Sequence, residues 1–393
     1  QNLEKPAQPT CGFLGWGPFS YQHIAKGLYQ KLKKMSSLSG GDMTEEHAKE
    51  IAEAMPNDIL RTYVLPAVRC PLTDNLIRKA VQFYFSPDPR LKNSVLQRFG
   101  EIKNWDVSRV TNMSYMFYGA TSFNQPLNDW DVSNVKNMNH MFSGATSFNQ
   151  PLDEWDVSKV TDMAYMFEKA TPFNQPLNNW NVSHVTDMAF MFARASSFNQ
   201  PLNNWDVSKV LNMRYMFKKA TSFNQPLNNW NGKLSNVTDM GGMFVYAEAF
   251  NQPLNDWNVS NVMYMHNMFM DAISFNQPLD NWNVSKVTNM GFMFYGATSF
   301  NQPLDDWDVS NVTDMGMFWM FACATSFNQP LKNWDVQKVT RSTRECDEYD
   351  ASTGYVKILH AAEADIHNTY SSDSDDAYGW DAESSTTSDP PPI

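Results

Sequence analysis

Ten tryptophans, Trp105, Trp130, Trp155, Trp180, Trp205, Trp230, Trp257, Trp282, Trp307 and Trp334, stand 25 residues apart except at two intervals of 27. No feature of the chain constrains its fold more. A unit this short cannot bury its own apolar face, so each repeat needs its neighbours, and the period predicts a stack of coils from residue 104 to 340.

Each unit divides in two. In LNDWDV (127–132) the alternation of Trp130 and Val132 about Asp131 is a strand period, and Pro126 fixes the backbone just before it. In VKNMNHMF (135–142) Val135, Met138, Met141 and Phe142 lie at i, i+3, i+6 and i+7, the spacing of one helical face. The expected coil is a short parallel strand, a turn, a short helix or 3₁₀ segment and a turn, about ten coils in all. Stacked at about 4.8 Å, they would extend roughly 45–50 Å.

The full unit, FNQPLNxWDVSxVTxMxxMFxxATS, with FNQPL present nine times, closely resembles the bacterial surface protein 26-residue repeat, a relative of the BspA-like leucine-rich repeats. L-x-x-W-x-V looks like the L-x-x-L-x-L signature with Trp in its central slot. The resemblance implies an α/β, leucine-rich-repeat-like right-handed solenoid used for surface display and binding. It implies no catalytic residues.

Composition and charge narrow the function. Hydrophobic residues are 42% of the 393, enough for a substantial core, and no run of 18 apolar residues is present to span a membrane. Through residue 104 there are 14 Lys and Arg against 10 Asp and Glu; from 105 to 340, 13 against 20; beyond that, 3 against 12. An acidic array is poorly suited to nucleic acid, whose binding requires cations against phosphates. Cys11, Cys70, Cys323 and Cys346 are too far apart for a zinc knuckle or a CxxC motif. Their positions allow one disulfide at each end, Cys11 to Cys70 and Cys323 to Cys346, or four buried thiols.

In chain order, residues 1–19 form an arm rich in Gly and aromatics, and 20–103 a helical capping domain that covers the first coil. Within it, helices are expected at 21–35, from Asp42 or Thr44 onwards, and on both sides of SPDP between 72 and 99, with Thr73 or Asp74 as N-cap. Residues 56–68 faintly resemble the first helix of an F-box, or are one more capping helix. Two extra residues follow the strand in WNGKLSNV (230–237), and two lie inside VTDMGMFWMF (312–321), where they add an aromatic; each is a bulge for a partner or a neutral insertion. Residues 341–367 are expected to form a cap around Tyr355, Val356, Ile358 and Leu359. The Ser- and Asp-rich 368–393, ending in prolines, has the composition of a disordered or partner-ordered tail.

The residue after each Trp should face away from the core, giving a candidate interaction stripe: Asp106, Asp131, Asp156, Asn181, Asp206, Asn231, Asn258, Asn283, Asp308 and Asp335. Such oxygens suit a cation or basic ligand, or form a solvated polar face with amide ladders. The FNQP asparagines Asn124, Asn149 and Asn174 recur at a turn and are expected to satisfy backbone groups; Met113, Met116, Met138 and Met141 are expected in the core. N-x-S/T sequons at Asn112, Asn181, Asn236, Asn258, Asn283 and Asn311 follow in part from the repeat consensus and are glycosylation candidates in a secreted protein. His360, Glu363, Asp365 and His367 form a loose cluster, and no GxSxG, Walker, HExxH or dinucleotide motif occurs. We therefore expect no enzyme, metal or cofactor.

The expected protein is a non-enzymatic surface or structural component binding other chains or itself, extracellular, on a cell surface or on a virion. A cytoplasmic adaptor using residues 56–68, or a glycan- or cation-binding adhesin, is the alternative.

Overall fold

The computed structural model describes residues 71–314 and 319–339, with the backbone of two short strands beyond them. The arm, the earlier capping helices, the F-box-like stretch, the histidine cluster and the tail lie outside the described residues.

The two helices expected around SPDP form. Helix α1, Asp74–Tyr84, buries Leu76, Ile77, Ala80 and Val81. Helix α2, Pro89–Phe99, begins with proline in its first turn, is capped by Asp88 accepting from the Arg90 N–H, and ends at Gly100 with φ +71°. Thr73 is the N-cap residue of α1 but makes no side-chain capping bond.

The repeats follow, joined in parallel register: Asn112 bridges Asn137, Asn137 bridges Asp162, and the series continues through Asp187, Asn212, Asp239 and Tyr264 to Asn289. These bridges correct the expected placement of strand and helix. They run through VTxMxxMF, the half whose apolar spacing predicts a helix, and neither half is an α-helix or a multi-residue strand.

Every second N–H in this half points to the next repeat: Met113, Tyr115, Phe117 and Gly119 donate to the carbonyls of Asn137, Asn139, Met141 and Ser143. The intervening residues close i+3 turns, as Met116 to Met113 and Ala120 to Phe117. A run of such turns buries the same i, i+3 residues as a helix, so periodicity alone cannot separate the two. Positive φ at Tyr115 (58°) and Gly119 (67°), repeated at equivalent positions down the stack, excludes a continuous helix.

In the other half the Trp130 N–H closes a turn on the Leu127 carbonyl, and the Val135 N–H does so on Val132. Their backbone donors are spent inside the repeat, so no strand ladder forms. Side chains link the repeats here: Trp155 Nε1 donates to the Leu127 carbonyl at 2.9 Å, Trp180 and Trp205 repeat the bond to Leu152 and Leu177, and Asn128, Asn178, Asn203 and Asn255 accept through Oδ1 the N–H of Glu154, Asn204, Asn229 and Asn281 in the next repeat.

The core between the halves consists of ring columns and methionines. Phe117, Phe142, Phe167, Phe192, Phe217, Phe244, Phe269, Phe294 and Phe321 stack at 5.4–5.7 Å between centroids. A second column, from Phe123 to Phe327, runs beside it at 5.8–6.1 Å. Met113, Met116, Met138 and Met141 are buried as expected. On the rim each FNQP asparagine accepts from the next repeat, Asn124 Oδ1 from the Asn149 N–H and Gln150 Nε2, and the ladder continues to Asn328.

The insertion after Trp230 is absorbed locally. Gly232 takes φ +73°, Leu234 is buried where other repeats place valine, and the Val237 N–H closes on Leu234 as Val135 does on Val132. In the second insertion Trp319 stacks on Phe292 at 6.4 Å; residues 315–318 lie outside the described residues.

Helices α1 and α2 replace a preceding repeat, ladder by ladder. The Asp74 carboxylate accepts from the Thr111 N–H, Thr111 Oγ1 and Asn112 N–H, standing where a previous repeat's carbonyl would. Arg78 donates to the Ser114 carbonyl and Asn112 Oδ1. Phe85 meets Phe117 and Phe123 edge-on, Tyr84 and Phe99 do the same to Trp105, and Trp105 Nε1 finds the Gly100 carbonyl. Beyond the array, strand β1, Tyr349–Asp350, pairs antiparallel with β2, Tyr355–Val356.

Candidate functional site

The stripe after the tryptophans is engaged in turns. Asp106, Asp131, Asp156, Asn181, Asp206, Asn258, Asn283 and Asp308 each accept, through Oδ1, the N–H of the serine two residues on, and Asp335 accepts that of Gln337. Asn231 departs from this, lying exposed at the insertion. Serine hydrogen bonds, side chain first and then backbone, hold Asp156 and Asp308 below the usual carboxylate range. The stripe faces solvent, and its oxygens bond within their own repeat; no amide ladder joins its members.

The sequon asparagines Asn181, Asn236, Asn258, Asn283 and Asn311 are exposed. Asn112 is half-buried and accepts from Arg78 and from the Ser114 N–H. Cys323 carries a free, half-buried thiol, while Cys11, Cys70 and Cys346 lie outside the described residues. Among the described residues no cluster of three or more His, Cys, Asp or Glu could hold a metal ion, and no helix is long and apolar enough to cross a membrane.

The surface over the backbone ladder is where repeats differ. Its most regular row is aromatic: Tyr115, His140, Tyr165 and Phe190 stack at 4.2–4.5 Å, and Tyr215 continues the row at 4.8 Å with a 41° tilt. All five have φ between 54° and 59°. Left-handed backbone at bulky residues is costly and needs surrounding structure to hold it; here the inter-repeat hydrogen bonds do so.

Tyr215 tilts because the next repeat places glycines beneath it. A Cβ on Gly242 would sit 2.0 Å from the Tyr215 ring, and one on Gly241 2.3 Å from the His266 ring. His266 is buried with no hydrogen bond at either ring nitrogen, and burial, then the Arg214 charge, pushes its pKa down to about 4. Ala164, Ala189, Phe190, Ala193, Tyr215 and Val245 form an apolar cluster separate from the core, flanked by Tyr165, Tyr246 and Met270, and Tyr215 meets the His266 ring edge-on at 6.3 Å.

Exposed apolar residues break the repeat at its start, where Leu211 and Met263 replace the usual threonine and Tyr264 replaces Asn or Asp, while exposed Ile273 replaces the threonine that follows the second left-handed position. At that position stand Lys169, Arg194 and Lys219, at φ 57°, 60° and 57°. Arg214 and Lys218 lie 5.1 and 4.9 Å from the Tyr215 ring centroid, and Lys219 5.1 Å from that of Tyr246. The acids here are partly withdrawn: Asp187 is raised by burial and by the neighbouring Asp162, Asp239 by burial. Glu168 pairs with Lys169 and accepts from Ser143 Oγ.

This face was missed from sequence, although a signal existed. Aligning the repeats by position exposes Leu211, Met263, Tyr264 and Gly241–Gly242 as departures from an otherwise strict consensus. No curated protein and no solved structure matches the chain. The repeats match a family described as "Mycoplasma protein of unknown function, DUF285", in four overlapping segments, 91–188, 152–234, 232–319 and 257–354. The segments together run across most of the chain, from the second capping helix past Trp334, the last tryptophan of the repeat series, and the chain belongs to that family of repeat proteins.

Proposed function

We propose that this chain is a non-enzymatic surface or structural protein, a solenoid of the leucine-rich-repeat kind that binds other protein chains through the face over its backbone ladder. One observation carries the reading. Core positions scarcely vary from repeat to repeat, whereas the departures, exposed Leu211, Met263 and Tyr264, fall in the same half of the repeat that carries the aromatic and basic positions. A clustered apolar patch with a charged margin is the usual character of a protein-binding surface.

The test compares the native chain with Leu211→Lys/Met263→Lys, a pair of exposed positions whose exchange leaves the core untouched. Crosslinking in the native source should yield partners attached at Lys218 or Lys219 that the variant loses while its melting temperature is unchanged. Identical crosslinked partners for both proteins would contradict the reading. Light scattering at low and high salt tests self-assembly separately, a monomer under both conditions excluding it.

A further inference from the structure

We infer that His266 and Gly241 form an acid-released latch in the ladder half of the repeat: the imidazole is held in the place of a missing side chain, and taking up a proton drives it out. The inference adds a control to the proposed interaction face, and its test reads the chain alone, so either reading can fail without the other.

The latch is assembled by position. Ala164, Ala189, Arg214, Gly241, His266 and Gly291 are equivalents in successive repeats, so glycine stands on both sides of the histidine. The ring leans over the earlier glycine, with Cε1, Nε2 and Nδ1 lying 2.3, 2.8 and 2.9 Å from where a Gly241 Cβ would be. Any other residue at 241 would collide with it. The histidine is 9% exposed, and neither ring nitrogen has a hydrogen-bond partner. Buried polar groups are ordinarily bonded. Only packing seats this ring.

Protonation removes that balance. Whichever nitrogen carries the first proton, a second makes both of them donors with nothing to accept, in a site that excludes water. Arg214, one position earlier in the column, adds a like charge. The other titratable groups packed around the site are otherwise placed, and no carboxylate bonds either ring nitrogen. Asp239 Oδ1 accepts the Gly241 N–H and is acted on by the Arg214 charge. Lys218 lies 4.9 Å from the centroid of the Tyr215 ring, which meets His266 by its edge. In the histidine's own repeat Tyr264 is exposed, and the Asp271 carboxylate sits where a Gly296 Cβ would, toward the following repeat.

Burial and the Arg214 charge hold the seated ring's pKa down to about 4, against 6.5 for a free one. A released ring therefore takes up its proton first. The seated state is fully favoured above the free value and loses ground as pH falls toward the seated one. Each pH unit in that window shifts the balance about tenfold toward release, up to about 300-fold in all. The repeats on either side of Gly241 carry Leu211, Met263 and Tyr264, so release loosens the stack between these departures.

The test is imidazole NMR on the histidine-labelled full chain, from neutral pH down to about 4.5, for the native protein and Gly241→Ala. Alanine already holds the equivalent positions 164 and 189, so the variant suits the fold while its Cβ bars the ring. Native His266 should stay neutral to below about pH 5, and in Gly241→Ala it should titrate near about 6.5. Hydrogen exchange, corrected for its intrinsic pH dependence, should show opening at the Tyr215 and Gly242 amides rising about tenfold per pH unit in the native chain and staying flat in the variant.

A native His266 that titrates near its free value overturns the inference, as does one that still resists protonation in Gly241→Ala. Asp187 and Asp239, raised by burial, remain in the variant. A pH response that persists there belongs to them and also overturns it. Should the variant not fold, the native chain decides alone: a titration at the free value or a flat exchange profile contradicts the latch.

Discussion

The two halves of the repeat hold the same stack by different means. In VTxMxxMF the peptide backbone reaches across: Met138, His140, Phe142 and Gly144 each donate an N–H to the next repeat. In LNxWDV the backbone closes turns on itself and side chains make the connection, the indole N–H at 2.9 Å from Trp155 to the Leu127 carbonyl and Asn128 Oδ1 accepting the Glu154 N–H. Backbone bonding does not depend on side-chain identity, so outward positions of the first half are free to vary. Side-chain bonding fixes the residue, so Trp recurs in every unit. The face proposed for binding accordingly lies over the first half.

The largest expected effect comes from a residue both halves need. Phe192 is fully buried and stacks on Phe167, Phe198 and Phe217. Phe192→Ala should cost about 3–5 kcal/mol in urea unfolding, the range for a large core truncation. A loss under about 1 kcal/mol would mean that the columns are not the core.

Trp205→Phe isolates the second half. It keeps a buried ring but removes the Nε1 donor, leaving the Leu177 carbonyl with the Trp180 N–H alone. The loss of one hydrogen bond costs about 0.5–1.5 kcal/mol, measurable by the same unfolding experiment. A neutral result would reduce the indole link to packing.

Asp74 isolates the first half, because its carboxylate imitates a missing repeat only there. Burial works to raise its pKa, but the hydrogen bonds from the Thr111 backbone and side chain and from Asn112, with the Arg78 charge, leave it lowered. A lowered carboxylate pKa contributes stability above its unfolded value, about 3.9, and loses it as pH falls through the folded value. Asp74→Ala should cost about 1–2 kcal/mol at neutral pH and flatten the acid side of the stability profile below about pH 4. An unchanged acid limb would show that α1 caps the stack by packing alone.

Lys169→Gly should have the smallest effect, and in the opposite direction. Lys169 sits at φ +57° on the surface, where the equivalent positions 119, 144 and 296 are glycine. Relief of left-handed backbone should leave stability unchanged or raise it by up to about 1 kcal/mol. A clear loss would place Lys169 in the framework rather than on the binding margin.

Sequence made the repeat length, the inward residues and the helices flanking SPDP legible, because burial follows period whatever the backbone does. It did not show which way the peptide groups point. Val135, Met138, Met141 and Phe142 are placed inward equally by a helix and by successive i+3 turns, and only the alternating N–H directions separate them. The candidate stripe at Asp131 and its equivalents was drawn from regularity, and regular residues proved to close turns. The face at Leu211, Tyr215 and Met263 is visible only as irregularity.

Residue-resolved hydrogen exchange on the native chain tests the central claim most directly. The amides of Met138, His140, Phe142 and Gly144, and their equivalents down the stack, should be the slowest to exchange, while those of Asp131, Asp156, Asp206 and Asp308, between the Trp and Val turns, exchange fast. Slow exchange throughout LNDWDV with fast exchange in VKNMNHMF would place the inter-repeat ladder in the tryptophan half and contradict the account.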